Sequence, residues 1–285
     1  MTRLIQELVE LLTLEKIEEN TFRGNSRDIG TGMVFGGQVL GQAISAAQKT
    51  VATERKIHSA HAYFLRAGDY NLPIMCSVDR TRDGRSYSSR TISAIQNGQP
   101  IFTMMCSFQI EEDSDLQYSS ETHIPDYNSE KLEEIDLENE SLEARSVRSK
   151  ILTNQPFLLR IPKEKRDYKD QQDTQENYWI KTNHTIEENP LLHLPLLAYT
   201  SDFRLLTSAL RPVHHRYRLK EMNLATLCHS IWFHRDFSMN NWLFTQCDPL
   251  SVSNGRGLSK GSIYAENGKL IATTMQEGVI RKILG

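Results

Sequence analysis

Apolar and polar positions along the chain fall into two similar textures separated by a polar stretch. Residues 34–51, VFGGQVLGQAISAAQKTV, form an apolar run of helical length. Residues 189–210, NPLLHLPLLAYTSDFRLLTSAL, carry Leu196, Tyr199, Phe203, Leu206 and Leu210 at alternating steps of three and four. That spacing puts the five side chains on one face of a helix. Pro195 is expected in its first turn, where a missing N–H costs nothing. Strand-like segments follow each helix, so the pattern predicts an α+β fold with a sheet wrapped around a central helix. Gly36, Gly37 and Gly41 weaken the first helix, a cost that makes sense where a curved sheet approaches the helix backbone closely. The N-terminal MTRLIQELVELLTLEKIEEN interrupts its apolar residues with acids and reads as a surface helix, not a secretory signal.

The two textures share an order of elements. Each has a helix, an aromatic strand with a histidine, further strands and a late Asn-Gly turn. The early aromatic strand contains His61-Ala-Tyr-Phe-Leu-Arg66 and the late one His229-Ser-Ile-Trp-Phe-His-Arg235. The turns are Asn97-Gly98 and Asn267-Gly268, 170 positions apart, and His61 and His229 are 168 apart. Asn-Gly between strand patterns signals a hairpin, because its turn needs positive φ. Two signals nearly in register argue for an internal duplication. The expected organisation is an N-terminal unit over residues 1–111, a polar connector over 112–177 and a C-terminal unit over 178–285. Within the connector, ILTNQPFLLRIP is apolar enough to dock on something.

The 285 residues leave room for two units. A net charge of −3 gives no general attraction to nucleic acid or an anionic membrane. No apolar run reaches the roughly 18 residues that span a bilayer. Cys76, Cys106, Cys228 and Cys247 form no C-x-x-C pair. They read as buried, inert thiols in a reducing, cytoplasmic setting. The closing Ile-Leu-Gly is not a peroxisomal Ser-Lys-Leu address.

Familiar nucleophile motifs are missing. Gly84-Arg-Ser86-Tyr-Ser88 lacks the second glycine of a nucleophile elbow, and there is neither a P-loop nor an H-E-x-x-H. On a strand, His58 and His61 face opposite ways, as do His229 and His234, so no metal is expected. Three polar residues stand where the patterns favour apolar ones. Asp202 borders the apolar face of the late helix, Thr226 opens the strand NLATLCHSIWF, and Gln276 shares a strand face with Ala272 and Thr274. Each alone also fits a structural role: a turn cap, an ordinary strand residue, a solvent-facing amide.

At these residues the chain resembles the type II acyl-CoA thioesterases of bacteria and their peroxisomal relatives. The stretches that carry the resemblance are VFGGQVLGQA, HSAHAYFLRAGD, RTRDGRSYSSRTISAIQNGQPIF, LLAYTSDFRLL, LATLCHSIWFHRDF and TMQEGVIR. They span nearly the whole chain and are weakest in the connector. The resemblance implies a double hot-dog fold, two antiparallel sheets each around a central helix. It implies hydrolysis of medium- to long-chain fatty acyl-CoA by an activated water, with no cofactor. Asp202, Thr226 and Gln276 would be catalytic, Asp202 as general base and the others holding the water. The oxyanion would meet a backbone N–H, with a helix N-terminus the natural donor. Substrate-binding candidates are His58, Gly36, Gly37, Arg85 and Arg256, with Arg66, Arg82 and Lys260 as further phosphate partners. The early half has Gly36-Gly37 near the helix position where the late half has Asp202, and Cys106 where the late half has Gln276, so one active site per chain is expected. The resemblance also implies a homo-oligomer, a tetramer of chains among the options. Two rival readings are a hot-dog enoyl-CoA hydratase, which pairs an aspartate with a histidine near the helix, and a non-catalytic acyl-CoA-binding protein. No histidine is expected in that place beside Asp202.

Overall fold

The computed structural model describes residues 3–120, 122, 124–136, 155–162, 174–216 and 221–283. Much of the expected 112–177 connector, including the first residues of ILTNQPFLLRIP, lies outside them. The elements are α1 (Arg3–Leu12), β1 (Glu15–Glu18), β2 (Thr21–Gly24), α2 (Gly36–Gln48), β3 (Arg55–Phe64), β4 (Ile74–Asp83), β5 (Tyr87–Gln96), β6 (Gln99–Ile110), β7 (Leu132–Asp136), β8 (Phe157–Pro162) and β9 (Glu176–Thr182). Then come α3 (Pro190–Ser201), α4 (Leu205–Ser208), a 3-10 turn (Arg211–Arg216), β10 (Met222–Phe233), β11 (Leu243–Ser253), β12 (Arg256–Ala265) and β13 (Leu270–Lys282). The architecture is α+β, as the alternating textures require.

The described strands form one antiparallel sheet of thirteen, in the order β1-β2-β4-β5-β6-β3-β10-β13-β12-β11-β9-β8-β7. Where two sheets were expected, β3 and β10 pair at their edges and join the halves. This seam has a near-two-fold register. Cys228 faces Tyr63 and Trp232 faces Ser59, while His61 faces Ser230 at the centre. An offset of 169 carries β3 onto β10 and one of 170 carries β6 onto β13, so that the pair Ala60–Cys106 matches His229–Gln276. His61 is therefore the counterpart of Ser230, not of His229. Both Asn-Gly turns have the positive φ their sequence demands, with Gly98 at 70° and Gly268 at 79°. Residues 157–162 of the expected connector are a strand that extends the sheet beyond β9.

Each of the two long core helices lies behind its own half of the sheet, and they touch each other. A Cβ on Gly37 would stand 2.3 Å from the Tyr199 carbonyl oxygen, and one on Gly41 2.9 Å from that of Pro195. The backbone that approaches α2 is thus α3, not the curved sheet. Advancing along one helix means retreating along the other, so the two are antiparallel. Pro190, not Pro195, occupies the first turn of α3, and Pro195 lies inside the helix. An internal proline frees the carbonyl four residues earlier. Here that carbonyl, Leu191, accepts a hydrogen bond from the Gln48 amide of α2 at 3.3 Å. The helix expected to continue to Leu210 stops at Ser201, and Asp202 caps it. Arg204 then takes a left-handed φ of 59°, which turns the chain into the short α4. The five apolar side chains of that stretch are all buried, but Leu196 and Tyr199 lie in α3, Leu206 in α4, and Phe203 and Leu210 in the turns that follow each. In α1, Ile5, Leu8, Leu11 and Leu12 are buried, which seats this amphipathic helix on the core.

Gly37→Ala is expected to lower stability by about 1–3 kcal/mol, the usual cost of overpacking, because the new methyl meets a backbone oxygen that cannot swing aside. Chemical denaturation measures this; an unchanged midpoint would contradict the close helix contact.

Candidate active site

Asp202 stands at the junction of the two helices. It ends α3 and faces the start of α2, where it accepts the Gly37 N–H. The N-cap of α2, Phe35, offers no side-chain cap, so Asp202 supplies one from the other half. Its side chain is only 6% exposed. The Gln276 amide, from β13, donates to Asp202 Oδ1 at 2.5 Å and to Thr226 Oγ1 at 2.8 Å. The Thr226 hydroxyl, having accepted from Gln276, donates in turn to the carboxylate. The structure thus gathers the three residues singled out in the sequence into one hydrogen-bonded group.

Burial raises the Asp202 pKa to about 7, against the opposing pull of Gln276, Gly37 and Thr226. The corner that holds it is itself fixed. Arg204, two residues on, forms an ion pair with the buried Glu176 of β9, and Arg211 approaches Glu176 at 3.8 Å. A left-handed non-glycine residue costs on the order of 1–2 kcal/mol, and this ion pair opposes its relaxation. Gly36 is needed here too: a Cβ would stand 2.7 Å from Asp202 Oδ2 and 3.2 Å from the Phe64 ring. Gly36 and Gly37 are therefore neighbours of Asp202 rather than its counterparts. The counterpart C-cap, at the far end of α2, is Lys49.

One group was missed. His229 is fully buried, with Nδ1 4.0 Å from Asp202 Oδ1 and Nε2 3.0 Å from Ser201 Oγ. A histidine does therefore stand beside Asp202, from a strand and not from the helix. Strict alternation puts Thr226 and His229 on opposite faces of β10. A β-bulge between Thr226 and Cys228 shifts the phase and turns both inward. An equivalent bulge lies between Ile57 and Ser59 in β3, and both are seen only in the strand pairing. Burial lowers the His229 pKa to about 4, so the ring is neutral at pH 7.

Other candidates lie apart. His58 occupies the first bulge, bonds Ser107 Oγ at 2.9 Å and meets the edge of Tyr87 on the sheet's outer face. Arg85 is exposed on the β4–β5 turn, and its carbonyl accepts from Arg55. Arg55 starts the strand that Phe64 ends, so the Arg85 turn and Asp202 lie roughly 30 Å apart along β3. Gly257 is level with Thr226 two strands away, which puts Arg256 level with Ala225, where it pairs with Glu277 at 2.9 Å. Arg66 donates to the Pro100 carbonyl. Among the described residues, no group of three or more His, Cys, Asp and Glu side chains could hold a metal ion, and no helix is long and apolar enough to cross a membrane.

The position equivalent to this site in the early half is filled differently. Cys106 replaces Gln276, Ala60 replaces His229 and Ile57 replaces Thr226. Arg90, 1% exposed, occupies the place of Ser259 and binds Thr50, the Arg82 carbonyl and Asp83.

Known proteins resemble the chain over nearly its whole length. The acyl-CoA thioesterase family profile matches residues 147–279, and the acyl-CoA thioesterase N-terminal domain profile matches residues 25–109. The chain is 37% identical over 288 residues to acyl-CoA thioesterase 2 of Haemophilus influenzae, covering 99% of each. It is 32% identical to human acyl-coenzyme A thioesterase 8, covering 95% of this chain and 88% of that one. An acyl-CoA thioesterase II from Mycobacterium marinum superposes with a TM-score of 0.77 at 31% identity, over 98% of both chains. A hot-dog protein of unknown function from Alicyclobacillus acidocaldarius, 16% identical, shares the fold with a TM-score of 0.76 over 98% of this chain and 99% of that one. With a hot-dog fold and a full-length relative at this identity, the chain belongs to the type II acyl-CoA thioesterase family.

Proposed function

We propose that the chain hydrolyses fatty acyl-CoA thioesters, of medium to long chain, with a water activated by Asp202. The observation that carries this reading is a buried carboxylate with a pKa of about 7, fixed by Gln276, Thr226 and Gly37 at a helix N-terminus. A base in that range is half ionised near neutrality, where general-base catalysis is most effective. The water's oxygen attacks the thioester carbon as one of its protons passes to Asp202. Charge builds on the carbonyl oxygen, and the start of α2 supplies a favourable dipole and the Gly36 N–H, the Gly37 N–H being held by Asp202. The C–S bond then breaks, and the CoA sulfur takes the proton from Asp202.

The near-two-fold register supports a double hot-dog reading, with two units sharing one sheet. The early unit acts as scaffold and binding wall, since Arg90 fills its equivalent site. Arg256, roughly 10 Å from Thr226 across the strands, is the better placed of the two arginines for a CoA phosphate. The apolar side chains around the small cavity between α3 and the sheet, Leu197, Leu205, Ile180 and Ile263, would have to part to admit the acyl tail. A homo-oligomer in the cytoplasm completes the reading. The hydratase alternative gains a histidine beside Asp202, but this one is neutral and fully buried. Loss of the enoyl-CoA chromophore on incubation would support it.

Wild type should release free thiol from a panel of acyl-CoAs, and Asp202→Asn should lower kcat by about 10²–10⁴-fold. No release from any chain length would end the thioesterase reading. The logarithm of kcat/KM should rise with pH up to about 7 and then level off, as Asp202 loses its proton. Removing an N–H donor favours the protonated carboxyl. Gln276→Ala should therefore move that limb upward by roughly one to two pH units, and a downward move would contradict the assigned bond.

A further inference from the structure

His229 has a protonation pattern that its neighbours dictate. The Ser201 hydroxyl donates to the Ala198 carbonyl at 2.8 Å, and a carbonyl can only accept. That hydroxyl has a single hydrogen, so its 3.0 Å contact with His229 Nε2 must run the other way, with Nε2–H donating. A neutral ring protonated at Nε2 is bare at Nδ1. Nδ1 is a buried acceptor with no partner among the described residues, 4.0 Å from Asp202 Oδ1. That distance is too long for a hydrogen bond, but it is the span across which a water's two hydrogens bridge two acceptors.

A second orphan sits beside it. His229 and Gln276 are cross-strand partners, so their side chains are neighbours on the inner face. Gln276 spends both amide hydrogens on Asp202 and Thr226, and its Oε1 is likewise buried without a partner among the described residues. Turning the amide over would aim Oε1 at the carboxylate, acceptor against acceptor. The group around Asp202 is thus rich in buried acceptors whose donors are already used. What satisfies such a place is a small molecule with two hydrogens to give.

We propose that His229 is a further catalytic residue, whose bare Nδ1 accepts one hydrogen of the attacking water while Asp202 accepts the other. This rests on the reading of Asp202 as the base. The water's oxygen forms the C–O bond as its O–H bond to the hydrogen on Asp202 breaks. The hydrogen on Nδ1 stays with that oxygen and becomes the hydroxyl hydrogen of the acid product. The C–S bond breaks, the proton on Asp202 goes to sulfur, and Asp202 returns to its carboxylate. His229 changes charge at no point, in keeping with a ring that resists protonation where it is buried. With both hydrogens committed, one lone pair of the water is aimed at the thioester carbon, and orientation of this kind is a large part of catalysis.

The competing role is a mere anchor for Ser201 and the last turn of α3. His229→Gln distinguishes the two, because the longer amide reaches the Nε2 position and can keep the Ser201 bond while leaving no acceptor at Nδ1. We expect kcat for thiol release to fall at least 100-fold with KM within threefold and the unfolding midpoint close to wild type. A kcat within threefold of wild type would overturn the proposal while Asp202→Asn still abolished turnover, leaving the thioesterase reading intact. Should His229→Gln not fold, the wild-type enzyme decides. Proton–nitrogen correlation of labelled histidine should show His229 neutral and protonated at Nε2. A ring protonated at Nδ1 would overturn the proposal, whatever the fate of the thioesterase reading.

Discussion

The backbone contact between α2 and α3 is the constraint on which the site depends. Gly37 lets the Tyr199 carbonyl come within van der Waals reach. Antiparallel helices at that distance bring the negative end of one beside the positive end of the other. Asp202 falls at that meeting point. Alone at the C-terminus of α3 its charge would be repelled by the helix dipole. The Gly37 N–H and the start of α2 offset this, and Gln276 and Thr226 add two further donors. These do not fully compensate for burial, so the carboxyl titrates near neutrality instead of near 4. Three of the polar groups come from the late half, yet the site exists only because the early half's helix begins there.

The shared register shows how one half of a duplicated sheet can keep a site that the other has filled. The inward positions match strand for strand, but the early half presents Cys106, Ala60 and Ile57. None of these can hold a carboxylate. Burial pushes the Cys106 thiol up to about 12, so it is neither a nucleophile nor an acceptor of consequence. Arg90 takes the remaining room and spends its guanidinium on Thr50, backbone carbonyls and Asp83. An arginine so fully bonded cannot let go without leaving a buried charge unpaired. The early half is thereby committed to structure.

Much of this was legible in the sequence, for reasons that can be named. The apolar steps in 189–210 predicted burial correctly because burial depends on which residues are apolar. They predicted one helix wrongly, because nothing local marks Arg204 for a left-handed turn; the ion pair to Glu176, 28 positions earlier, holds it there. Pro195 was read as a helix start because the Gln48 amide that replaces its lost partner lies on another helix. The Asn-Gly turns were legible because positive φ is a local demand. Asp202, Thr226 and Gln276 stood out as polar residues in apolar patterns, and the family resemblance grouped them. His229 escaped because one bulge residue, Leu227, reverses the alternation on which strand reading relies.

Asp202 and His229 also explain how a site with buried titratable groups avoids making the fold fragile in mild acid. The folded carboxyl keeps its proton up to about 7, where an unfolded aspartate releases it near 3.8. That stability is fully present at low pH and is lost as pH rises toward 7. The folded imidazole refuses a proton until about 4, where an unfolded histidine takes one near 6.5. Its stability is present above 6.5 and is lost as pH falls toward 4. Between about 4 and 6.5 the folded pair holds one proton, on Asp202, and the unfolded pair holds one, on His229. Equal proton numbers mean no slope of stability with pH from this pair in that window. Burial shifts the two groups in opposite senses. A carboxyl kept basic enough to take a proton from water is matched by an imidazole kept too weakly basic to compete for it.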